Sequence, residues 1–286
     1  MFQNLAQMNR KRTELTVLAA LIVVVIVYAA AGIVVAATRV TNAERTLNAV
    51  VAHQNTLNST FRDIDVQLGQ LSGGSAFNPE QAIILVDKSI SNSQLATKTI
   101  EDDNASLNSA SSQLQSQRWL TFVGQNSLDR ETTRLQHAHN ALDAAGSYVS
   151  DELQDGHFWH SLYAGLDDMT KVRSQDYAND VQAAAATLVT LKSDIDTAAQ
   201  LSTSPGLPKA LHDMTADMQT LVTDYGKELD AKLAGDDAGI LSTQQAINAD
   251  LQKIAAYDFD TIAAEITAYF KPLLDRFNSE MAAATS

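Results

Sequence analysis

Residues Leu15 to Ala37 form an almost unbroken apolar run, in which only Thr16 and Tyr28 bring polar side-chain groups. As a helix, this run spans roughly 30–35 Å, about the thickness of a bilayer core. The chain then turns polar but keeps an apolar beat at Val40, Ala43, Leu47, Val50, Gln54, Leu57, Phe61, Ile64, Leu68 and Leu71. Steps alternating between three and four residues are the seam of a left-handed coiled coil. The two stretches read as one helix that crosses a membrane and continues outside as the first helix of a bundle. A signal-peptide apolar region is usually about 7–15 residues long, so the run is read as an uncleaved anchor, with Val35-Ala36-Ala37 as the alternative cleavage site.

Charge sets the orientation. Arg10, Lys11 and Arg12 precede the run, and only Arg39 and the Glu44/Arg45 pair follow it closely. The positive-inside rule puts residues 1–13 in the cytoplasm, 14–38 in the membrane and the rest outside. Of 20 basic and 34 acidic residues, four and one respectively lie in residues 1–39, which leaves 16 against 33 beyond them. An exterior this acidic excludes nucleic acid as a partner. There is no cysteine, hence no disulfide framework.

Beyond residue 71 the heptad rhythm continues through segments punctuated by glycine and proline. Breaks are expected at Ser72-Gly73-Gly74, Arg118–Gly124, Asp155-Gly156 with the aromatic stretch to Tyr163, Ser204–Pro208 and Gly235–Gly239. Asn78-Pro79 reads as a helix start, and Pro272 is expected to kink or restart the last helix. The second helix shows a poorly apolar seam containing Ser93, Thr97, Asn104 and Ser111, and is expected to be the loosest. The fourth is expected to carry Tyr177, Val181, Ala184, Leu188, Leu191, Ile195 and Ala198 inward, and the sixth Leu241, Gln244, Ile247, Leu251 and Ile254. The fold class that follows is all-α: an N-terminal transmembrane helix continuing into an elongated up-and-down antiparallel bundle of about seven helices. Residues 39–204 form the bundle of long helices, and 205–286 supply C-terminal helices that pack on it or extend it.

Three groups are candidate contact sites. Phe158, Trp159 and Tyr163 are expected at an exposed joint, offering an aromatic patch to a protein partner. Arg118, Trp119 and Phe122 combine a cation with bulky rings, as a membrane-interface contact does. Gly32 and Ala36 give a small-xxx-small surface for transmembrane packing, including pairing with a second copy. Gln54, a polar residue in the seam, is expected to reach the polar second helix.

His157 and His160 have metal-ligand spacing but lack a third ligand at neighbouring helical positions. No phosphate loop, GxSxG, HExxH or CxxC occurs. The chain is therefore read as non-enzymatic, with no cofactor and no metal. Thr13-Glu14-Leu15 before a Val/Ile-rich run resembles the start of a type IV pilin, but no Gly-Phe processing site precedes Glu14. The N-terminal pattern also resembles chemoreceptor-like four-helix sensor domains, in which a membrane helix runs directly into the bundle. With no apolar run after Met281, that resemblance implies signalling through a partner in the membrane. The leading expectation is a membrane-tethered scaffold or docking protein of an envelope complex.

Overall fold

The computed structural model describes the backbone of residues 2–71, 78–116 and 124–286, and their side chains apart from 2–22 and 64–71. Seven helices are described: α1 (Phe2–Leu71), α2 (Pro79–Gln115), α3 (Gln125–Tyr177), α4 (Val181–Leu201), α5 (Lys209–Ala234), α6 (Asp237–Ala255) and α7 (Phe259–Thr285). There is no strand among the described residues, and the helices pack on one another, so the fold is the all-α bundle with a long apolar N-terminal helix that the periodicity predicts.

The chain divides into two compact units, to both of which α1, α2, α3 and α7 contribute. Unit 1 holds residues 1–54, 101–142 and 278–286. Its core takes Ala43, Leu47 and Val50 from α1, Leu107, Ala110 and Leu114 from α2, Leu128, Leu135 and Leu142 from α3, and Met281 and Ala284 from α7. The last carbonyls of α7 have no helical partner of their own. Arg134 Nε donates to the Ala284 carbonyl at 2.9 Å and Arg130 to the Ser286 carbonyl at 3.3 Å, placing cations at the negative end of the helix dipole.

Unit 2 holds residues 55–100 and 143–277. Its main core joins Phe158, Leu162 and Val172 of α3, Leu191 and Ile195 of α4, Leu211, Met214, Met218 and Val222 of α5, and Ile262 of α7. A smaller cluster sets Tyr163 against Ala82 and Val86 of α2, and a third sets Leu221 and Tyr225 of α5 against Ile247 of α6.

The caps follow sequence chemistry. Asn78 Oδ1 accepts from Gln81 N at 3.3 Å ahead of Pro79, as expected of that start signal. Gly235 ends α5 at φ 66, and the Asp236 N–H bonds back to the Ala231 carbonyl at 2.9 Å. Asp236 then caps α6, accepting from Gly239 N at 3.0 Å.

Four expectations are corrected. First, α3 runs unbroken through Asp155-Gly156 and the aromatic stretch to Tyr177. Gly156 serves close packing rather than termination: a Cβ there would lie 2.8 Å from Ile90 Cγ1. Second, the break falls later, where Asn179 takes φ 61 and Asp180 caps α4 by accepting from Ala183 N. Tyr177, expected inward, is 83 % exposed. Third, Leu241 and Leu251 of α6 are exposed, and Ile247 and Asp250 are its buried residues. Fourth, α2 buries two complete heptad columns. Val86, Ser93, Ile100, Leu107 and Leu114 form one, and Ala82, Ser89, Ala96, Asp103 and Ala110 the other. Small residues in the second column let neighbouring backbones approach, which a search for large apolar side chains misses. Pro272 lies inside α7 without ending it.

Candidate functional site

The aromatic residues expected at an exposed joint lie within α3 and face inward. Phe158 is fully buried and Tyr163 is 7 % exposed. Trp159 meets the Phe158 ring edge-on at 4.9 Å and stacks on Tyr163 at 5.6 Å, packing against both of their clusters. Burial pushes the Tyr163 hydroxyl pKa up. These rings are core, not an exposed patch.

Arg118, Trp119 and Phe122 lie outside the described residues. Gly32 and Ala36 are buried within the chain. Ala36 Cβ stands 2.5 Å from where a Cβ on Gly124 would be, so this small-residue face serves a close approach inside unit 1. His160 Nδ1 donates to Asp87 Oδ1 at 2.8 Å, and His157 is exposed. Among the described residues no three His, Cys, Asp or Glu side chains come together to hold a metal ion.

Unit 1 contains a polar ring that the sequence reading missed. His53 of α1 donates from Nδ1 to Asp103 of α2 at 3.0 Å. His139 of α3 donates to Asn104 Oδ1 of α2 at 3.1 Å. His137 of α3 donates to Glu280 Oε2 of α7 at 2.7 Å, and Asn140 reaches the same oxygen at 3.4 Å. Gln54 of α1 donates to Asn278 Oδ1 of α7 at 3.4 Å, rather than to the second helix. The partner oxygens only accept, which fixes the proton of each histidine on Nδ1. The contacts run α1–α2–α3–α7 and back to α1, closing a circuit around the core. Burial raises the Asp103 carboxyl pKa, and the His53 bond and charge oppose that.

A second missed pair is Ser202 with His212, Oγ to Nδ1 at 2.9 Å. This is nucleophile–base distance. The Ser202 hydroxyl, however, donates to the Ala199 carbonyl at 2.7 Å, so the His212 N–H is the donor in the contact and the serine is 1 % exposed. The arrangement caps the end of α4 and has no base aimed at the hydroxyl.

The feature with the clearest unmet chemistry is Asp155, on the interior of α3 in unit 2. It is 2 % exposed, and neither carboxyl oxygen has a hydrogen-bond partner. Burial, then the charges of Glu152 and Asp151, push its pKa up to about 9. Tyr269 of α7 donates to Asp151 Oδ2 at 2.8 Å. Nothing in the local pattern marks Asp155. On this stretch of α3 the carboxyl residues Glu152 and Asp155 are buried beside Val149 and Phe158.

No known family model, curated protein or solved structure matches this chain.

Proposed function

We infer that the chain is a single-pass membrane protein, with a cytoplasmic N-terminus and an extracytoplasmic helical bundle that docks a protein partner in a membrane or cell-envelope complex. The observation that carries this reading is the exposed apolar face of α1. Val23 to Val27 are 58–65 % exposed, Ile33 is 51 % and Val34 is 65 %. Only 11 % of the most apolar window, mean hydropathy 2.2, is buried. A soluble core helix of that composition is mostly buried, and a contiguous apolar surface of this kind needs lipid or a partner to cover it. The same helix continues into the buried seam of unit 1, which couples an anchor rigidly to the bundle. The reading is non-catalytic, in keeping with the capping geometry of Ser202 and His212. A second reading, a ligand-binding bundle that signals through a membrane partner, draws on the unpartnered Asp155.

Purification of the full chain in mild detergent, followed by mass determination, tests the docking role. A stoichiometric second protein or a defined homo-oligomer is expected, and a monomer with nothing bound overturns it. Alkaline extraction of membranes tests the anchor separately, since an integral protein stays with the lipid. Protease added outside sealed cells should digest residues 40–286, and protection of that region reverses the orientation.

A further inference from the structure

We propose that unit 2 carries a binding site for an organic ammonium ion, centred on Asp155 and covered by the connection between α4 and α5. Asp155 is buried with both oxygens unpartnered. A buried carboxyl without donors is costly, and its place in this core points to a donor supplied from outside the chain. Asp151 and Glu152, on the same helix, reinforce the negative potential. From α7 the titratable neighbour is Tyr269, held by Asp151, and residues 202–208 carry no titratable side chain. The charges acting on Asp155 are thus negative, and no basic residue is among them.

Aromatic rings complete the chemistry. A Cβ on Gly206 would lie 3.0 Å from Asp155 Oδ2 and 3.0 Å from Phe270 Cζ, so oxygen and ring edge are within 6.0 Å of each other. Phe270 in turn meets Tyr269 at 5.1 Å and Tyr148 at 5.2 Å. A carboxylate beside aromatic rings suits an organic ammonium, whose charge pairs with the carboxylate while its apolar part packs against the rings. A divalent metal needs several oxygen or nitrogen ligands, and among the described residues no such group is assembled. Gly206, at φ 94, covers Asp155 without a side chain, so the proposed ligand reaches the carboxyl only when the 202–208 connection moves aside.

The exchange balances as one proton for one cation. Without ligand, the carboxyl holds a proton. Binding gives a carboxylate paired with R–NH3+ and releases that proton to solvent. Affinity should therefore rise with pH below about 9, by up to roughly tenfold per unit.

The test titrates the full chain in mild detergent with n-butylammonium and tetramethylammonium, with n-butanol as the neutral control, from about pH 6 to about pH 8. Calorimetry in buffers of different ionisation enthalpy counts protons released. Saturable ammonium binding with release of about one proton is expected. Asp155→Asn, which keeps shape and removes charge, should weaken it by at least about tenfold. Phe270→Leu should weaken binding several-fold while leaving proton release intact. Circular dichroism verifies that each variant is folded. The proposal fails if neither ammonium binds saturably, if Asp155→Asn binds as tightly as the parent, if butanol competes equally, or if no proton is released.

Discussion

At the scale of single residues, Asp155 and His53 make opposite demands on stability. The Asp155 carboxyl titrates near 3.8 in an unfolded chain and near 9 in the fold. An acid whose folded pKa is raised favours the folded state most below the unfolded value and progressively loses that contribution as pH rises toward the folded value. Asp155→Asn should therefore stabilise the protein near neutral pH, by on the order of 2–4 kcal/mol, with little gain near pH 4. Denaturant unfolding of the two proteins at several pH values checks this, and a pH-independent difference would show that Asp155 is not held as the neutral acid. His53 works in the other sense, since it donates to Asp103, which is 5 % exposed. His53→Ala leaves that carboxylate without its donor and should cost about 1–3 kcal/mol. Asp103→Asn in the same chain should recover part of the loss, read from the same unfolding curves. Neither residue was legible in the sequence. Acidic residues on helices are ordinarily solvated, and only the tertiary packing of α3 buries Asp155.

At the scale of helices, the heptad pattern was legible and the joints were less so. The seam of α1 expected from Val40 to Leu71 is buried at Ala43, Leu47, Val50, Leu57 and Phe61, its members Ile64, Leu68 and Leu71 lying outside the described side chains, and α5 buries Leu211, Met214, Met218, Leu221, Tyr225 and Leu229 at the same helical spacing. Glycine misled because it does two jobs: it ends helices where a positive φ is needed, as at Gly235, and it admits a neighbouring helix where none is needed, as at Gly156. The true joint at Asn179-Asp180 carried a signal, a left-handed residue type followed by an N-cap type, which the continuous apolar rhythm on either side outweighed. The packing role of Gly156 makes a sharp expectation. Alanine there gains about 1 kcal/mol in helix propensity yet puts its Cβ 2.8 Å from Ile90 Cγ1. Overpacking should dominate, leaving a net loss of about 1–3 kcal/mol. Pairing Gly156→Ala with Ile90→Ala should cost less than the sum of the single changes, a coupling that equilibrium unfolding of the four-variant cycle measures. Additivity would mean that Gly156 does not hold α2 and α3 close. At Asp180, where the side chain accepts from Ala183 N at 3.1 Å, alanine should cost about 1 kcal/mol by loss of the cap alone.

At the scale of the whole molecule, the question is what covers the exposed side chains of α1. Val24 and Val27 are 65 % and 61 % exposed, so neither supports the bundle by internal packing. Replacing both with arginine separates two accounts of the apolar run. If lipid covers it, two charges near the middle of the span should oppose insertion by roughly 5–7 kcal/mol, enough to move most of the protein out of the membrane fraction. If the run is a soluble helix, the same changes add charge to an already solvated surface and leave fractionation as it was. Because the substituted positions are exposed, the helical content and unfolding midpoint of the released chain should match those of the detergent-solubilised parent. Released protein with its structure intact would establish that the apolar run serves insertion and that residues beyond it fold without lipid. A collapse of helical content would instead mean that the run packs against the bundle, and the anchor would have to be abandoned.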